Sequence, residues 1–405
     1  MSNTGALSDL RVVDLTQMLA GPFCTQTLAD HGAEVIKVET LTGDGTRATG
    51  PFLEDDALRD FGGYFQSVNR NKLSIAIDLK TENGKAILRK LIDSADVVVE
   101  NFRAGVMDRL GLSYETLRET NPALVYGAIR GFGDPRSGES PYAHWPSYDV
   151  VAQAMGGIMG ITGPDQHSPT KIGPGVGDTI PALMLGIGIL AAVHHARRTG
   201  EGQFVDVAMT DCVLALCERI VYQRSYTDSN PKPQGNQHPL LCPFGLFRAQ
   251  DGWVSIACAH DEFWRKLAAI IERPDLMEHP EYATNAARVQ HSAKVISAIE
   301  AFTASRTKAQ LATILGGIIP FGPVYTAEDI FNDPHYEARK MLVELEHPGS
   351  STPVRVTGVP IKLSVTPGNV KRRAPLLGEQ TDDILLRAGY DVQAIKSLRH
   401  QGVVR

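Results

Sequence analysis

Residues 10–38 read LRVVDLTQMLAGPFCTQTLADHGAEVIKV, and this stretch decides the class of fold. Two short apolar runs, Leu10–Leu15 and Ala33–Val38, are typical of buried strands. Between them, Gly21-Pro22 predicts the start of a helix, because proline is favoured in the first helical turn. A strand, a helix and a second strand in such close succession predict a βαβ unit, whose two strands are parallel.

The same alternation continues beyond this stretch. We predict further strands at Leu73–Ile77, Asp96–Val99 and Leu124–Ala128, with helices at Glu82–Ser94 and Tyr114–Glu119. Strands that alternate with helices imply a largely parallel sheet that is covered by helices. The sequence therefore predicts an α/β protein.

The middle of the chain has a different pattern. A helix predicted from Asp178 to about Arg197 is apolar on nearly every side, which predicts that it is buried. Tyr226–Pro239 is polar and rich in proline, as is typical of a linker or an active-site loop. Beyond it we predict a hairpin at Gly245–Cys258, then mainly helices, and a last helix at Thr381–Ala388.

Composition excludes several classes of protein. A chain of 405 residues corresponds to about two domains, and 43% hydrophobic with 21% charged residues is typical of a soluble globular protein. The net charge of −6 disfavours a protein that coats nucleic acid or an anionic membrane. Five cysteines form no CxxC pair, so we expect neither a disulfide framework nor a metal site.

Targeting signals are also missing from the sequence pattern. The N-terminal residues lack the basic and apolar regions of a secretory signal. The longest apolar run, Ile180–Val193, is shorter than a bilayer span. We therefore expect a cytoplasmic enzyme.

Motif searches leave one main candidate for the chemistry. No G-x-G-x-x-G follows the first strand and no G-x-x-x-x-G-K-[ST] occurs, which disfavours a dinucleotide dehydrogenase and a P-loop enzyme. In Lys171–Gly186, KIGPGVGDTIPALMLG, Asp178 follows a glycine-rich turn and opens the long helix. Asp178 is either a helix cap, which is the commoner use, or a nucleophile to which the glycines admit a ligand. At a helix N-terminus its carboxylate is expected to stay ionised.

The other polar residues have ordinary interpretations when each is taken alone. Tyr148 suits a core aromatic residue at a strand edge, and His238 suits an exposed loop histidine. Lys80, Arg103 and Arg109 suit solvated surface charges.

Six segments taken together resemble the class III CoA-transferase family, which includes formyl-CoA transferases, dicarboxylate CoA-transferases and α-methylacyl-CoA racemases. The segments run in order from about residue 7 to the C-terminal region. They are LSDLRVVDLTQMLAGPFCTQTLADHGAEVIKVE, SVNRNKLSIAIDLK, ADVVVENFRAGVMDRLGL, SYDVVAQAMGGIMGITG, GVGDTIPALMLGIGILAAV and APLLGEQTDDIL.

The resemblance implies a fold, an assembly and a set of substrates. It implies a large Rossmann-like domain made of residues 1–225 and 322–405, a smaller α+β domain at 226–321, and an interlocked homodimer. CoA thioesters and a small carboxylic acid are the implied substrates. No tightly bound cofactor, nucleic acid or membrane is implied.

The resemblance also assigns roles to residues. It makes Asp178 the nucleophile and places Tyr148 on an active-site tyrosine of the formyl-CoA transferases. Thr40 and Ala104 depart from an arginine and a proline of the family. The implied CoA-binding positions are Leu19, Ala20, Lys80, Asn101, Phe102, Arg103, Arg109 and Asp149.

Within that family the details favour the dicarboxylate branch. The segment GNQHP, followed by LLCPFGLF, replaces the tetraglycine loop of the formyl-CoA transferases, and His238 within it either contacts the distal carboxylate of the acceptor or supports the loop. Backbone N–H groups of Gly156, Gly157 and Gly177 are candidates to stabilise oxyanions.

We therefore expect transfer of CoA from a dicarboxylic acyl-CoA such as succinyl-CoA, through anhydrides and an aspartyl-CoA thioester at Asp178. The racemase branch has a histidine at the position of Tyr148. A phenol is a poor base near neutral pH, since its unperturbed pKa is about 10. A racemase acting by α-proton exchange remains the alternative, and a CoA-binding protein without activity is a third possibility.

Overall fold

The computed structural model describes residues 5–405, which form two compact units. The first unit contains the described residues up to Ile158, then Ile172–Tyr222 and Pro334–Arg405. The second contains Met159–Lys171 and Gln223–Asp333. The first unit is therefore discontinuous in sequence.

The boundaries differ from the expected ones in three places, the first being that the main segment of the second unit begins at Gln223 and not at residue 226. The second unit ends at Asp333 rather than at residue 321, and it includes Met159–Lys171, which the sequence analysis places in the large domain. A backbone hydrogen bond of 2.9 Å from Gly235 N to Gly163 O joins that segment to the rest of the second unit.

A six-stranded parallel sheet forms the centre of the first unit, which confirms the α/β prediction. The strand order β3-β2-β1-β4-β5-β6 is that of a doubly wound sheet, in which the order of the strands reverses between β1 and β4. Ligands of such sheets bind beyond the carboxyl ends of the strands at this reversal. The strands are β1 (Arg11–Asp14), β2 (Glu34–Glu39), β3 (Leu73–Ala76), β4 (Val97–Glu100), β5 (Val125–Arg130) and β6 (Phe204–Ala208).

Helices connect these strands and cover the sheet. Short 3-10 helices lie at Gly45–Ala48 and Ile158–Ile161. The α-helices are α1 (Ala20–Asp30), α2 (Gly63–Asn69), α3 (Glu82–Asp93), α4 (Val106–Arg109), α5 (Tyr114–Thr120), α6 (Asp149–Met155), α7 (Val176–Thr199), α8 (Met209–Leu216) and α9 (Glu218–Thr227), the last of which crosses the boundary between the units.

Helix α7 is long and apolar enough to cross a membrane by length and composition, yet one face of it packs as a core helix. Leu185 and Ile189 are fully buried, and α7 contacts α1, α8, β5 and β6. The expectation of a buried helix is wrong for the other face, where four apolar side chains are exposed. These are Leu183, Met184, Ile187 and Leu190.

The second unit has its own sheet and its own core. Its antiparallel sheet, in the order β7-β8-β9, packs with helices around the buried Phe247, Trp264 and Leu267. The predicted hairpin is confirmed by the pairing of β7 with β8. The elements are β7 (Phe244–Ala249), β8 (Gly252–Ala257), α10 (Asp261–Ile270), α11 (Pro274–Glu278), α12 (Pro280–Ala283), α13 (Asn285–Gln290), α14 (Ser292–Thr303), α15 (Lys308–Leu315), β9 (Phe321–Pro323) and α16 (Ala327–Asn332).

The C-terminal segment completes the first unit at the β3 edge of the sheet. Helix α18 contacts β3, and Ile77 forms a bridge with Val404. The predicted helix at Thr381–Ala388 is confirmed, whereas the last helix is missing from the sequence analysis. The elements are α17 (Pro334–Ala338), β10 (Leu342–Leu345), β11 (Val354–Thr357), α18 (Thr381–Arg387) and α19 (Val392–His400).

Candidate active site

Two cavities open in the first unit beside the carboxyl ends of its strands. The Asp178 cavity, of about 420 Å³, is lined by Asp178 together with Tyr64, Arg103, Tyr148 and Asp149. The strand-end cavity, of about 500 Å³, lies around the loops that follow β1 to β4. Gln17, Phe102 and Val106 line both cavities.

Asp178 is the third residue of α7 and is not its cap. The N-cap is Gly175, which forms no side-chain capping bond, so the alternative that Asp178 caps the helix is wrong. Asp178 instead lines a cavity, and within residues 5–405 its carboxylate has no hydrogen bond or ion pair with a side chain.

The expectation that Asp178 is readily ionised is also wrong. Burial, and then the negative charge of Asp149, raise the pKa of the Asp178 carboxyl from 3.8 to about 7. The positive end of the helix dipole favours a carboxylate here, but loss of water and a second carboxylate outweigh it. The site therefore holds an aspartate that is protonated in part of its population near neutral pH.

Asp149 lies at the start of α6 and is bound to the first turn of α7. Its Oδ1 accepts a hydrogen bond of 2.8 Å from Gly177 N, and both of its carboxylate oxygens accept from Gln153 Nε2. A Cβ on residue 177 would lie 2.5 Å from the Asp149 carbonyl oxygen, so only glycine permits this approach. Asp149, which the resemblance assigns to CoA, is thus bonded to the residue that directly precedes Asp178.

Tyr148 precedes α6 and is 64% exposed, so its interpretation as a core aromatic residue is wrong. The structure brings it into the same cavity as Asp178. Tyr64, which the sequence analysis does not identify, also lines that cavity. Burial and the charge of Asp178 raise the pKa of the Tyr64 phenol.

The glycine N–H groups predicted to stabilise oxyanions already have partners. Gly156 N donates to Ala152 O at 2.8 Å, and Gly157 N donates to Ala154 O at 3.4 Å. Gly177 N donates to Asp149. These three glycines serve close packing: a Cβ on Gly156, for instance, would lie 2.5 Å from the Val213 side chain.

The loop after β4 carries three of the predicted CoA-binding residues. Phe102 lines both cavities and Arg103 lines the Asp178 cavity. Asn101 also lines it, but its amide is occupied: Nδ2 donates to Gln17 O at 2.8 Å and Oδ1 accepts from Gln17 N at 2.9 Å. Asn101 therefore joins the β4 loop to the β1 loop.

Buried charges hold the main chain of this loop. The Glu100 carboxylate accepts from Phe102 N at 2.7 Å, and Arg130 Nη1 donates to Phe102 O at 2.6 Å. Arg130 and Glu100 form an ion pair of 2.6 Å, and both side chains are buried. Sequence reasoning missed this pair, although a charged residue at the end of each of two apolar strands is a signal that could have found it.

A second buried network fixes the loop after β1. Lys37 Nζ, fully buried, donates to Thr16 O at 2.8 Å and to Asp44 Oδ2 at 3.0 Å. Met18, which lines the Asp178 cavity, has a left-handed backbone with φ of 67°. Since residues other than glycine rarely adopt this conformation, the network must hold it in place.

The remaining predicted contacts are more dispersed. Ala20 lines the Asp178 cavity, and Lys80 lines the strand-end cavity. Leu19 lies beside the glycine turn, its side chain 3.1 Å from where a Cβ on Gly175 would be. Arg109 lines neither of these cavities but a separate open depression of about 600 Å³.

His238 belongs to the second unit, and its contacts are those of a loop residue. Its N donates to Phe244 O at 2.8 Å, its Nδ1 accepts from Leu240 N at 3.1 Å, and its ring packs on Phe244. These bonds support the structural alternative for His238. Its contact with an acceptor stays a prediction.

Comparison with known proteins identifies the family. Residues 7–381 match the model of the family described as CoA-transferase family III. The chain belongs to this family. This confirms the resemblance, and this CoA-transferase accordingly uses CoA thioesters as substrates.

Individual relatives are similar over nearly their whole length. The chain is 48% identical to the succinyl-CoA:mesaconate CoA-transferase of Haloarcula marismortui, covering 96% of this chain and 97% of that protein. It is 38% identical to the succinate–glutarate CoA-transferase of Agrobacterium fabrum, covering 94% of each. The crystal structure of a CaiB/BaiF family protein from Brucella suis superposes with a TM-score of 0.84 at 36% identity, covering 95% of this chain and 100% of that chain.

Proposed function

We propose that this CoA-transferase moves CoA from a dicarboxylic acyl-CoA such as succinyl-CoA to a second dicarboxylic acid, with Asp178 as the nucleophile. The observation that carries the proposal is the Asp178 carboxylate, which lines the cavity and, within residues 5–405, forms no ion pair and no hydrogen bond with a side chain. Such a carboxylate has lost much of its hydration, so it is more nucleophilic once it ionises.

Each step exchanges one acyl bond for another. An Asp178 oxygen attacks the thioester carbonyl of the donor, and CoA thiolate leaves, which gives a mixed anhydride. The thiolate attacks the Asp178 carbonyl carbon of that anhydride, releasing the donor carboxylate and forming an aspartyl-CoA thioester. The acceptor carboxylate then displaces the thiolate, which attacks the acceptor carbonyl of the second anhydride and regenerates the Asp178 carboxylate.

The two cavities offer a place for each end of the CoA thioester. The strand-end cavity, with Lys80 at its wall, suits the nucleotide end, and the Asp178 cavity suits the acyl end. Their shared residues, Gln17 and Phe102 among them, provide a path between the two. A few local cations, not the net charge of −6, would meet the anionic CoA.

The names of three relatives and one residue of the Asp178 cavity favour dicarboxylic acids. The relatives from Haloarcula marismortui and Agrobacterium fabrum are named for succinyl-CoA, mesaconate, succinate and glutarate. A third relative, 35% identical and from Chloroflexus aurantiacus, is named for succinyl-CoA and D-citramalate. Arg103 provides a guanidinium in the Asp178 cavity, and guanidinium groups bind carboxylates in a bidentate manner.

We also propose that the enzyme is a homodimer. Leu183, Met184, Ile187 and Leu190 form an exposed apolar face on α7. Apolar faces of this kind are typical of protein interfaces, and a second copy of the chain is the partner that the family resemblance implies.

The test of the function uses the purified enzyme with succinyl-CoA and, separately, mesaconate, glutarate, D-citramalate and oxalate. Mass spectrometry is expected to detect a new CoA ester with at least one dicarboxylate, and none with Asp178→Ala. Borohydride or hydroxylamine is expected to modify Asp178 only when acyl-CoA is present. Deuterium exchange at the α-carbon without any new CoA ester would instead establish the racemase alternative.

A further inference from the structure

Gln153 is a fully buried polar residue whose side chain is bonded at both ends. It lies on α6, one turn after Asp149, with 0% of its surface exposed. Its Nε2 donates to the two Asp149 carboxylate oxygens at 3.0 and 2.9 Å, and its Oε1 accepts from Ile172 N at 3.0 Å. The amide thus joins α6 to the segment that leads into α7.

This connection continues to the nucleophile. The Asp149 oxygen that Gln153 contacts also accepts from Gly177 N at 2.8 Å, and Gly177 directly precedes Asp178. The Asp149 carboxylate therefore lies between a side-chain amide on one helix and a backbone N–H on the next. If the amide were lost, the Asp149 carboxylate would keep the bond from Gly177 N but lose both bonds from Gln153.

We propose that Gln153 is a positioning residue of the reaction: its amide holds Asp149 against the first turn of α7 and thereby fixes the place and the charge environment of Asp178. This inference rests on the proposed function, in which Asp178 is the nucleophile. Gln153 does not line the Asp178 cavity, so it acts through Asp149 and Gly177 and not on the substrate.

The titration of Asp178 reports the position of Asp149. After burial, the negative charge of Asp149 is the cause that raises the pKa of Asp178 to about 7. The other titratable or charged groups around the cavity are Tyr64 on α2, Tyr148 before α6, Arg103 on the β4 loop and Arg130 at the end of β5. None of these contacts Gln153 through a hydrogen bond in residues 5–405.

Gln153→Met removes the hydrogen bonds at both ends of the amide at nearly constant volume and tests this role. We expect kcat to fall by about tenfold or more, with KM for succinyl-CoA changed by less than about threefold, because only the geometry of the nucleophile is altered. Release of Asp149 weakens its repulsion of the Asp178 charge, so the acidic limb of the kcat–pH profile is expected to move down by about half a pH unit or more.

Gln26→Met is the matched control. Gln26 on α1 is also buried and also bonded at both ends, donating to Ser67 O at 3.0 Å and accepting from Arg70 N at 3.1 Å, but it has no contact with Asp149. We expect it to leave the pH profile unchanged. Gln153→Asn, whose shorter amide cannot reach both partners, replaces Gln153→Met if that variant does not fold.

A titration without substrate separates this inference from the proposed function. In protein labelled with [4-¹³C]aspartate, the resonance lost in Asp178→Asn is that of Asp178. It is expected to titrate at a lower pH in Gln153→Met than in the parent. An unchanged titration overturns the role of Gln153, even if kcat falls, whereas a parent enzyme that transfers no CoA overturns only the proposed function.

Discussion

Asp178→Asn makes the enzyme inactive if the proposed function holds, and it is also expected to make the protein more stable at alkaline pH. Asparagine has nearly the same shape as aspartic acid but carries no titrating charge. In the folded protein the pKa of Asp178 is about 7, against 3.8 in an exposed chain. From about pH 4 to about pH 7 the folded state thus keeps a proton that the unfolded chain has lost.

The sign and size of the effect follow from this difference. Because the folded state binds the extra proton, the free energy of unfolding falls as the pH rises through the window from about 4 to 7, and the loss is complete above it. A pKa difference of about 3 corresponds to about 4 kcal/mol, at about 1.36 kcal/mol per pKa unit. Asp178 is partly exposed, so solvent screening reduces this to about 2 kcal/mol.

Urea unfolding followed by circular dichroism measures the effect in the parent and in Asp178→Asn. The gap is the free energy of unfolding of Asp178→Asn minus that of the parent. We expect this gap to be about 2 kcal/mol above pH 8 and to be smaller by about 1 kcal/mol at pH 5. Asp383→Asn, at an exposed position on α18, is the matched control and should show no such pH-dependent gap. A gap that stays constant, or that narrows as the pH rises, contradicts a raised pKa for Asp178 in the folded protein.

Three further changes test other parts of the structure. Gly177→Ala places a Cβ 2.5 Å from the Asp149 carbonyl oxygen, so we expect a loss of at least tenfold in kcat, measured by steady-state kinetics, and an unchanged rate would be contrary to it. Arg130→Met leaves the buried Glu100 without its cation and is expected to lower the free energy of unfolding by about 3–5 kcal/mol, which thermal or urea unfolding would show; a loss below 1 kcal/mol contradicts the role of the pair. Ile187→Glu puts a charge on the exposed apolar face of α7 and is expected to convert the proposed dimer to monomers in analytical ultracentrifugation, whereas a dimer of undiminished affinity would place the interface elsewhere.

The sheet was largely predictable from the sequence because its strands are local patterns. The apolar runs at Leu10–Leu15, Ala33–Val38 and Leu124–Ala128 contain β1 and most of β2 and β5. Strand β6 was not predicted, since the run FVDVA is short and contains Asp206. That polar residue is explained only by a tertiary contact, as its carboxylate accepts from Asp134 N at 3.0 Å.

The candidate site was predictable residue by residue but not as an arrangement. Asp178, Tyr148 and Arg103 were all identified from the sequence, and the structure places them in one cavity. The sequence could not show which of these groups already have hydrogen-bond partners, because those partners are brought together only by the fold. The Gly156 N–H, which was predicted to stabilise an oxyanion, already donates to Ala152 O. The Asn101 amide, which was predicted to contact CoA, already donates to Gln17 O.

Within residues 5–405, Asp178 differs from the fully buried Asp14 and from Asp44 in forming no ion pair. Asp14 is fully buried, but it pairs with Lys72 at 3.0 Å, and its pKa is lowered to about 2 despite the burial that opposes this. Asp44 pairs with Lys37 in the same way. In the described part of the chain Asp178 has no such paired cation, and the negative charge of Asp149 adds to burial in raising its pKa.

An arrangement of this kind costs folding free energy, because a carboxylate is desolvated and no cation within residues 5–405 pairs with it. A nucleophile that must attack a thioester carbonyl gains from the same feature, since a paired carboxylate would first have to leave its cation. The buried pairs around Asp14 and Asp44 meanwhile hold the loops that line the cavity. If Asp178 is the nucleophile that we propose, the same residue type stabilises the scaffold at Asp14 and Asp44, where a lysine pairs with it, and carries the chemistry at Asp178, where no lysine does.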